Sequence, residues 1–204
     1  MRRIPLSRRS HVTGFQPVGV GRAEHESALE RDFVTLTVFD DADAQIVSQP
    51  VTVIFEHMGK TRRYTPDFLV RSGVKPALLV EIKYRADLKE QWPQLRPAFH
   101  AARTWAAEQA MRFRIVTERG IRGERLKIAK RLLPLRLAPM DIELATQALA
   151  AVYQQPGVTF EGLTEIVPAS RSAALAVIWR LIARGQLCID LDAPIGPGTR
   201  IAVP

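Results

Sequence analysis

The sequence predicts an α/β fold, a central mixed sheet flanked by helices, followed by a smaller domain of three helices and two strands. Three observations predict it. Apolar runs rich in Val, Ile and Leu, at 44–57, 60–70 and 75–84, are short, closely spaced and separated by turn residues. Segments of helical period lie on both sides of them. The charge changes sign along the chain. Residues 1–136 hold 25 basic and 15 acidic residues, a net +10, whereas 137–204 hold four Arg against six acids, a net −2. Pro134 and Pro139 bracket that change, which divides the chain into a basic arm (1–22), an α/β domain (23–136) and a C-terminal domain (137–204).

The arm carries Arg2, Arg3, Arg8, Arg9 and Arg22 with no acid. Gly14, Pro17, Gly19 and Gly21 break any periodicity, so a flexible or loosely docked segment is expected. From Ala23, Ala28, Leu29, Phe33, Leu36 and Val38 fall near helical spacing, and Ser27 with Glu30 three residues on has the form of a capping box. The run 44–57 alternates in part. The run 60–70 follows a Met58-Gly59-Lys60 turn, and 75–84 follows Arg71-Ser72-Gly73. Such spacing predicts an antiparallel meander. A helix over 87–110, irregular at Pro93 and Pro97, comes next. A fourth strand at 112–118 and a basic helix at 123–135 complete the domain. Beyond it, an amphipathic helix, a short helix ended by Pro168, and a helix with Ser170 as N-cap and Gly185 as C-cap precede two strands around a Gly/Pro turn. That order is a winged helix-turn-helix.

Composition narrows the function. The hydrophobic fraction of 47% suffices for a sizeable core. No apolar run approaches the ~20 residues of a membrane span, so no membrane association is expected. The basic N-terminus has no apolar stretch behind it, against a secretory signal. Cys188 is the sole cysteine, which excludes an intrachain disulfide and a cysteine-based zinc site. These features fit a cytoplasmic protein. The net charge of +8, concentrated in the first two-thirds, points to a polyanion such as DNA.

The stretch YTPDFLVRSGVKPALLVEIKY, residues 64–84, sets charges among apolar strand residues. Alternation sends Glu81 and Lys83 to one face and Val80, Ile82 and Tyr84 to the other. Asp67, at the near end of the preceding strand, comes beside Glu81. Ionised groups in an interior strand cost several kcal/mol or more if nothing compensates, roughly. Lys83 pairing with Asp67 or Glu81 at a sheet edge is one compensation. The other is functional, with Asp67 and Glu81 holding Mg²⁺ or Mn²⁺ while Lys83 positions the attacking water and steadies developing charge. Glu30 is a candidate third carboxylate or merely the capping-box acid, with Glu26 and Glu24 as alternatives. The Ile82 carbonyl is a further candidate oxygen. Arg62 and Arg63, just before Tyr64, and Lys127, Lys130 and Arg131 on the basic helix are candidate phosphate contacts, along with Arg8 and Arg9 of the arm. His11, His25, His57 and His100 show no ligand-like spacing, and Trp92, Trp105 and Trp179 fit core positions.

Pro66-Asp67 followed by Glu81-Ile82-Lys83 resembles the signature of PD-(D/E)xK nucleases. Taken with SALERDFVTLTVFD, SQPVTVIF, RRYTPDFLV and LLVEIKY, the chain resembles the TnsA-type endonuclease subunits of heteromeric transposases, from the arm to about residue 135. The resemblance implies a restriction-endonuclease-like domain with catalytic Glu30, Asp67, Glu81 and Lys83, using Mg²⁺ or Mn²⁺. Gln49-Pro50 also matches, without a role derived for Gln49. The resemblance further implies hydrolysis of the 5′ strand at transposon ends in double-stranded DNA, beside a DDE transposase that cuts the 3′ strand. An AAA+ regulator ATPase would dock through the C-terminal domain, and the protein would work at the nucleoid. The weak basicity of residues 137–204 suits protein docking better than tight DNA binding. A PD-(D/E)xK nuclease of restriction or repair, or a non-catalytic winged-helix adaptor, are the alternatives.

Overall fold

The computed structural model describes residues 14–17, 22–73 and 75–204. Arg8 and Arg9, the arm cations expected to meet DNA, lie outside the described residues. The chain divides into two compact units, Met1–Arg122 and Gly123–Pro204.

In the first unit, β1 (Gly14–Pro17) and β2 (Arg22–His25) form an antiparallel pair. This hairpin falls partly within the segment expected to be an arm. Its glycine-rich sequence shows no alternation that would have revealed it. Helix α1 (Ala28–Asp40) follows, capped by Ser27, whose hydroxyl accepts from the Glu30 N–H. The central sheet has the order β3 (Gln45–Ser48), β6 (Phe68–Arg71), β7 (Leu78–Ile82), β8 (Arg112–Val116). The first two pairings are antiparallel and the last is parallel, so the sheet is mixed as expected. The β7–β8 crossover runs through α2 (Arg85–Glu90) and α3 (Trp92–Glu108), with Pro97 inside α3. A single turn, α4 (Glu118–Ile121), closes the unit.

The three runs pair antiparallel in chain order, as the expected meander requires, but the first two are each broken. Residues 45–57 split into β3 and β4 (Val53–His57), and 60–71 split into β5 (Lys60–Tyr64) and β6. β4 and β5 make a separate two-stranded ribbon. The break has a local cause. Gln49 takes a left-handed backbone, φ 47°, and Pro50 offers no N–H to continue a ladder. On the ribbon's far side, Met58 (φ 52°) and Gly59 (φ 68°) form a two-residue left-handed turn between the paired His57 and Lys60.

The sheet is covered on both faces. Phe68 stacks on Phe33 of α1, ring centroids 5.6 Å apart. The residues of opposite parity, Leu69 and Leu79, pack with Ala106 of α3 and are joined by Val51, Trp105 and Phe113. Asp67 and Glu81 share the parity of Leu69 and Leu79, so they extend the α3 face beyond the end of its apolar cluster.

In the second unit, α5 (Glu124–Leu132) runs into a 3₁₀ turn at Leu133–Leu135. Then come α6 (Ile142–Gln154), α7 (Phe160–Ile166) and α8 (Arg171–Ala183), with Asp141, Thr159 and Ser170 as N-caps. Gly185 (φ 69°) follows α8 and donates to the Ile182 carbonyl. The two terminal strands expected here appear as isolated bridges, Thr159 with Arg200 and Cys188 with Ala202. The sequence placed the division at Pro134–Pro139. It falls at Gly123 because α5 buries Leu126, Ile128, Ala129 and Leu132 within the second unit, where it contacts α8. Lys127, Lys130 and Arg131 therefore belong to that unit.

Phe68 is 1% exposed and Ile54 is 62% exposed. Phe68→Ala should cost about 3–5 kcal/mol in urea unfolding. Ile54→Ala should stay within about 0.5 kcal/mol. Equal effects would place the core elsewhere.

Candidate active site

Register brings the charged residues together. The β6–β7 ladder pairs Phe68 with Val80, so one step further on Asp67 comes opposite Glu81. The Asp67 side chain then closes the ladder itself: its Oδ2 accepts from the Ile82 N–H at 2.6 Å. On the other side of Asp67, its carbonyl accepts from the Gln49 N–H at 2.8 Å, extending the β3–β6 pairing. The Lys83 N–H donates to the Val116 carbonyl at 3.0 Å, carrying the β7–β8 ladder past Ile82. The backbone on both sides of the motif is thereby fixed.

Glu81 is 4% exposed. Its Oε1 lies 3.4 Å from Lys83 Nζ, and its Oε2 accepts from the Tyr64 hydroxyl at 2.6 Å. Lys83 keeps part of its side chain in solvent. Tyr64, at the end of β5, sets its ring edge-on to Phe99 of α3. Burial and the neighbouring Glu81 carboxylate push the Tyr64 phenol well above its ordinary pKa, so it stays protonated and donates.

The carboxylates repel one another in a poorly solvated place. Burial raises Asp67 well above the ordinary range, and the charges of Glu81 and Glu30 add to this; the Ile82 N–H and Lys83 offset part of it. Burial likewise raises Glu81, against the Tyr64 hydrogen bond and Lys83. Glu30 is raised by burial too. Its oxygens are engaged at the helix start: Oε2 accepts from the Glu26 N–H at 2.7 Å and Oε1 from the Ser27 hydroxyl at 2.8 Å. The capping role of Glu30 is thus real, and its field still reaches Asp67 and Glu81. Glu26 accepts from the Gln49 side-chain amide at 2.7 Å. Gln49 consequently ties the start of α1 to the strand carrying Asp67, which no sequence signal announced. Tyr64 was missed for a similar reason, since its partner is 17 residues away.

Among the described residues, no three His, Cys, Asp or Glu side chains are grouped as a metal-holding set. The donor chemistry still suits a hard divalent ion: two adjacent carboxylates, desolvated and mutually repelling, face a single ammonium. Magnesium takes one or two carboxylates and fills its remaining positions with water and phosphate.

The candidate DNA contacts are dispersed. Arg62 and Arg63 stand exposed on β5, paired with Phe55 and Ile54. Arg62 shares the face of Tyr64, and Arg63 the opposite one. In the second unit, Lys127 pairs with Glu124, and the Arg131 guanidinium lies 3.6 Å over the Trp179 ring. Of the helical cations near α8, Arg171 makes a two-point pair with Glu161 at 2.6 and 2.8 Å, and Arg184 donates to the Arg136 and Ala138 carbonyls. Among the described residues no helix is long and apolar enough to cross a membrane.

Residues 41–118 match the family model described as TnsA-like endonuclease N terminal. The matched segment takes in β3 to β8, with Asp67, Glu81 and Lys83; Glu30 precedes it and the second unit follows it. No curated protein matches the chain.

A carboxyl with a raised folded-state pKa binds its proton more tightly in the native than in the unfolded chain. The resulting stability is complete below the ordinary values of 3.8 for Asp67 and 4.5 for Glu81, and is lost as pH rises through the raised ones. Metal-free Asp67→Asn should therefore melt higher than wild type near neutral pH, with the gap closing toward about pH 4. Thermal melts across that range test it; parallel curves would mean that Asp67 carries no such strain.

Proposed function

We propose that the chain, whose residues 41–118 match the TnsA-like endonuclease N-terminal model, is the metal-dependent DNA-cutting subunit of a heteromeric transposase. It would hydrolyse the 5′ strand at transposon ends while a DDE transposase cuts the 3′ strand. The observation that carries this reading is the convergence of Asp67, Glu81 and Lys83 at one end of the β6–β7 ladder, with a half-buried and a buried carboxylate against one lysine. A non-catalytic adaptor would gain nothing from holding that repulsion.

Asp67 and Glu81, with the Ile82 carbonyl at the end of β7, would hold Mg²⁺ or Mn²⁺. The ion would polarise the scissile phosphate and lower the pKa of an attacking water. Lys83 then has two tasks. Its ammonium, anchored 3.4 Å from Glu81 and partly solvated, orients the water and stabilises charge that builds on the phosphate oxygens. Glu30 adds negative field at the site and keeps its capping contacts, so we assign it to supporting rather than direct ligation. Arg62 and Arg63 of the exposed ribbon would grip the DNA backbone.

For the second unit we propose a winged-helix arrangement, from the helix order α6, α7, α8 and the bridge Cys188–Ala202. Arg171, at the start of α8, is already committed to Glu161. That favours a protein partner, the regulator ATPase, over a recognition helix in a groove.

The experiment is Mn²⁺-dependent nicking of transposon-end DNA by the chain assembled with its transposase. Asp67→Ala and Lys83→Ala should each lower cleavage by about 10²-fold or more, the scale of losing a principal electrostatic catalyst. Affinity for the DNA should be retained. Undiminished cleavage by both variants would remove the catalytic assignment.

A further inference from the structure

The β4–β5 ribbon is a sheet of its own, yet its last residue reaches into the carboxylate site. Tyr64 donates to Glu81 Oε2 at 2.6 Å, while Lys83 holds the other oxygen. The two contacts together fix the carboxylate's plane. The Tyr64 ring is itself held, edge-on at 5.8 Å from Phe99. Arg62 stands two residues earlier on the same strand and the same face, about 6.8 Å away along the strand. One rigid strand therefore carries both an exposed cation suited to a phosphate and the hydroxyl that orients a buried carboxylate.

We propose that Tyr64 is a positioning residue: its hydroxyl sets the Glu81 carboxylate for ion binding, and through it the β4–β5 ribbon couples DNA docking at Arg62 to the ion site. This rests on the metal-dependent reading above. Arg62 and Tyr64 lie on one strand and Tyr64 bonds Glu81 of β7, so a phosphate seated on Arg62 steadies β5, and β5 steadies Glu81. Coupling of this kind is reciprocal: DNA tightens the ion and the ion tightens DNA. Tyr64 needs no contact with the substrate to do this.

The test uses the full chain. Mn²⁺ affinity is measured by calorimetry, with and without a short double-stranded oligonucleotide, and oligonucleotide affinity by anisotropy. Tyr64→Phe keeps the ring and removes the hydroxyl. It should lower Mn²⁺ affinity about 10- to 100-fold, the usual cost of losing a group that orients a ligand. Without the ion it should leave oligonucleotide affinity within about twofold, since Tyr64 makes no phosphate contact. Arg62→Ala should do the reverse, weakening the oligonucleotide while leaving Mn²⁺ affinity in its absence unchanged. The oligonucleotide should tighten Mn²⁺ in wild type and not in Tyr64→Phe. A folded Tyr64→Phe with wild-type Mn²⁺ affinity, or one in which the oligonucleotide still tightens Mn²⁺, overturns the proposal. If Tyr64→Phe fails to fold, replacement of Tyr64 by 4-aminophenylalanine, which retains a donor, must preserve the Mn²⁺ affinity; its loss overturns the proposal as well. A wild-type chain that binds no Mn²⁺ removes the metal-dependent reading itself, a result distinct from any difference between variants.

Discussion

Two carboxylates at the end of one β-ladder, desolvated and facing a single ammonium, are the constraint around which the first unit is arranged. Left alone, such a grouping would protonate or open to water. The fold offsets part of this and leaves the rest as a raised affinity for protons. The Ile82 N–H and the Tyr64 hydroxyl donate to the two acids, α3 closes the face on which they lie, and Lys83 supplies opposing charge. Each donor is attached to an element fixed for other reasons. Ile82 ends a central strand, Tyr64 ends the ribbon, and Lys83 is laddered through its own N–H to β8. The repulsion is held in place by backbone pairing rather than relieved by side-chain motion.

The Asp67–Ile82 contact has a further property. A side-chain carboxylate here does what a strand carbonyl normally does, so the ladder ends on a charged group that keeps other lone pairs for a ligand. Pro66 suits this ending because a proline has no N–H to extend the pairing on its own side. The Pro-Asp dipeptide is thereby explained as a way of stopping a strand on a usable carboxylate.

Much of the site was legible in the sequence because it obeys a period of two. Glu81 and Lys83 had to share a face, and Asp67 had to fall opposite Glu81 once the hairpin formed. Ser27 and Glu30 were equally legible, since a capping box is local. What was not legible is non-local or hidden in backbone angles. The split of 45–57 depends on a left-handed Gln49, an angle that glutamine seldom adopts and no pattern reveals. The ribbon's independence follows from it, and so does the contact between Tyr64 and Glu81. The β1–β2 pair lies in glycine-rich sequence without alternation. The domain boundary was read from charge and prolines, which report the surface, whereas the division follows the buried face of α5.

That face has a bearing on how the second unit can be inherited or exchanged. Leu126, Ile128, Ala129 and Leu132 are interior residues of the C-terminal unit, and Arg131 beside them rests on Trp179. A recombination event cutting near Pro134 would strand four apolar side chains on one fragment and uncover their counterparts on the other. At Gly123 the backbone is extended, with φ −167°, and nothing lies within 4 Å of where a side chain would begin. Gly123 is therefore where the second unit starts, and a cut there would leave the buried face of α5 whole, its basic residues included.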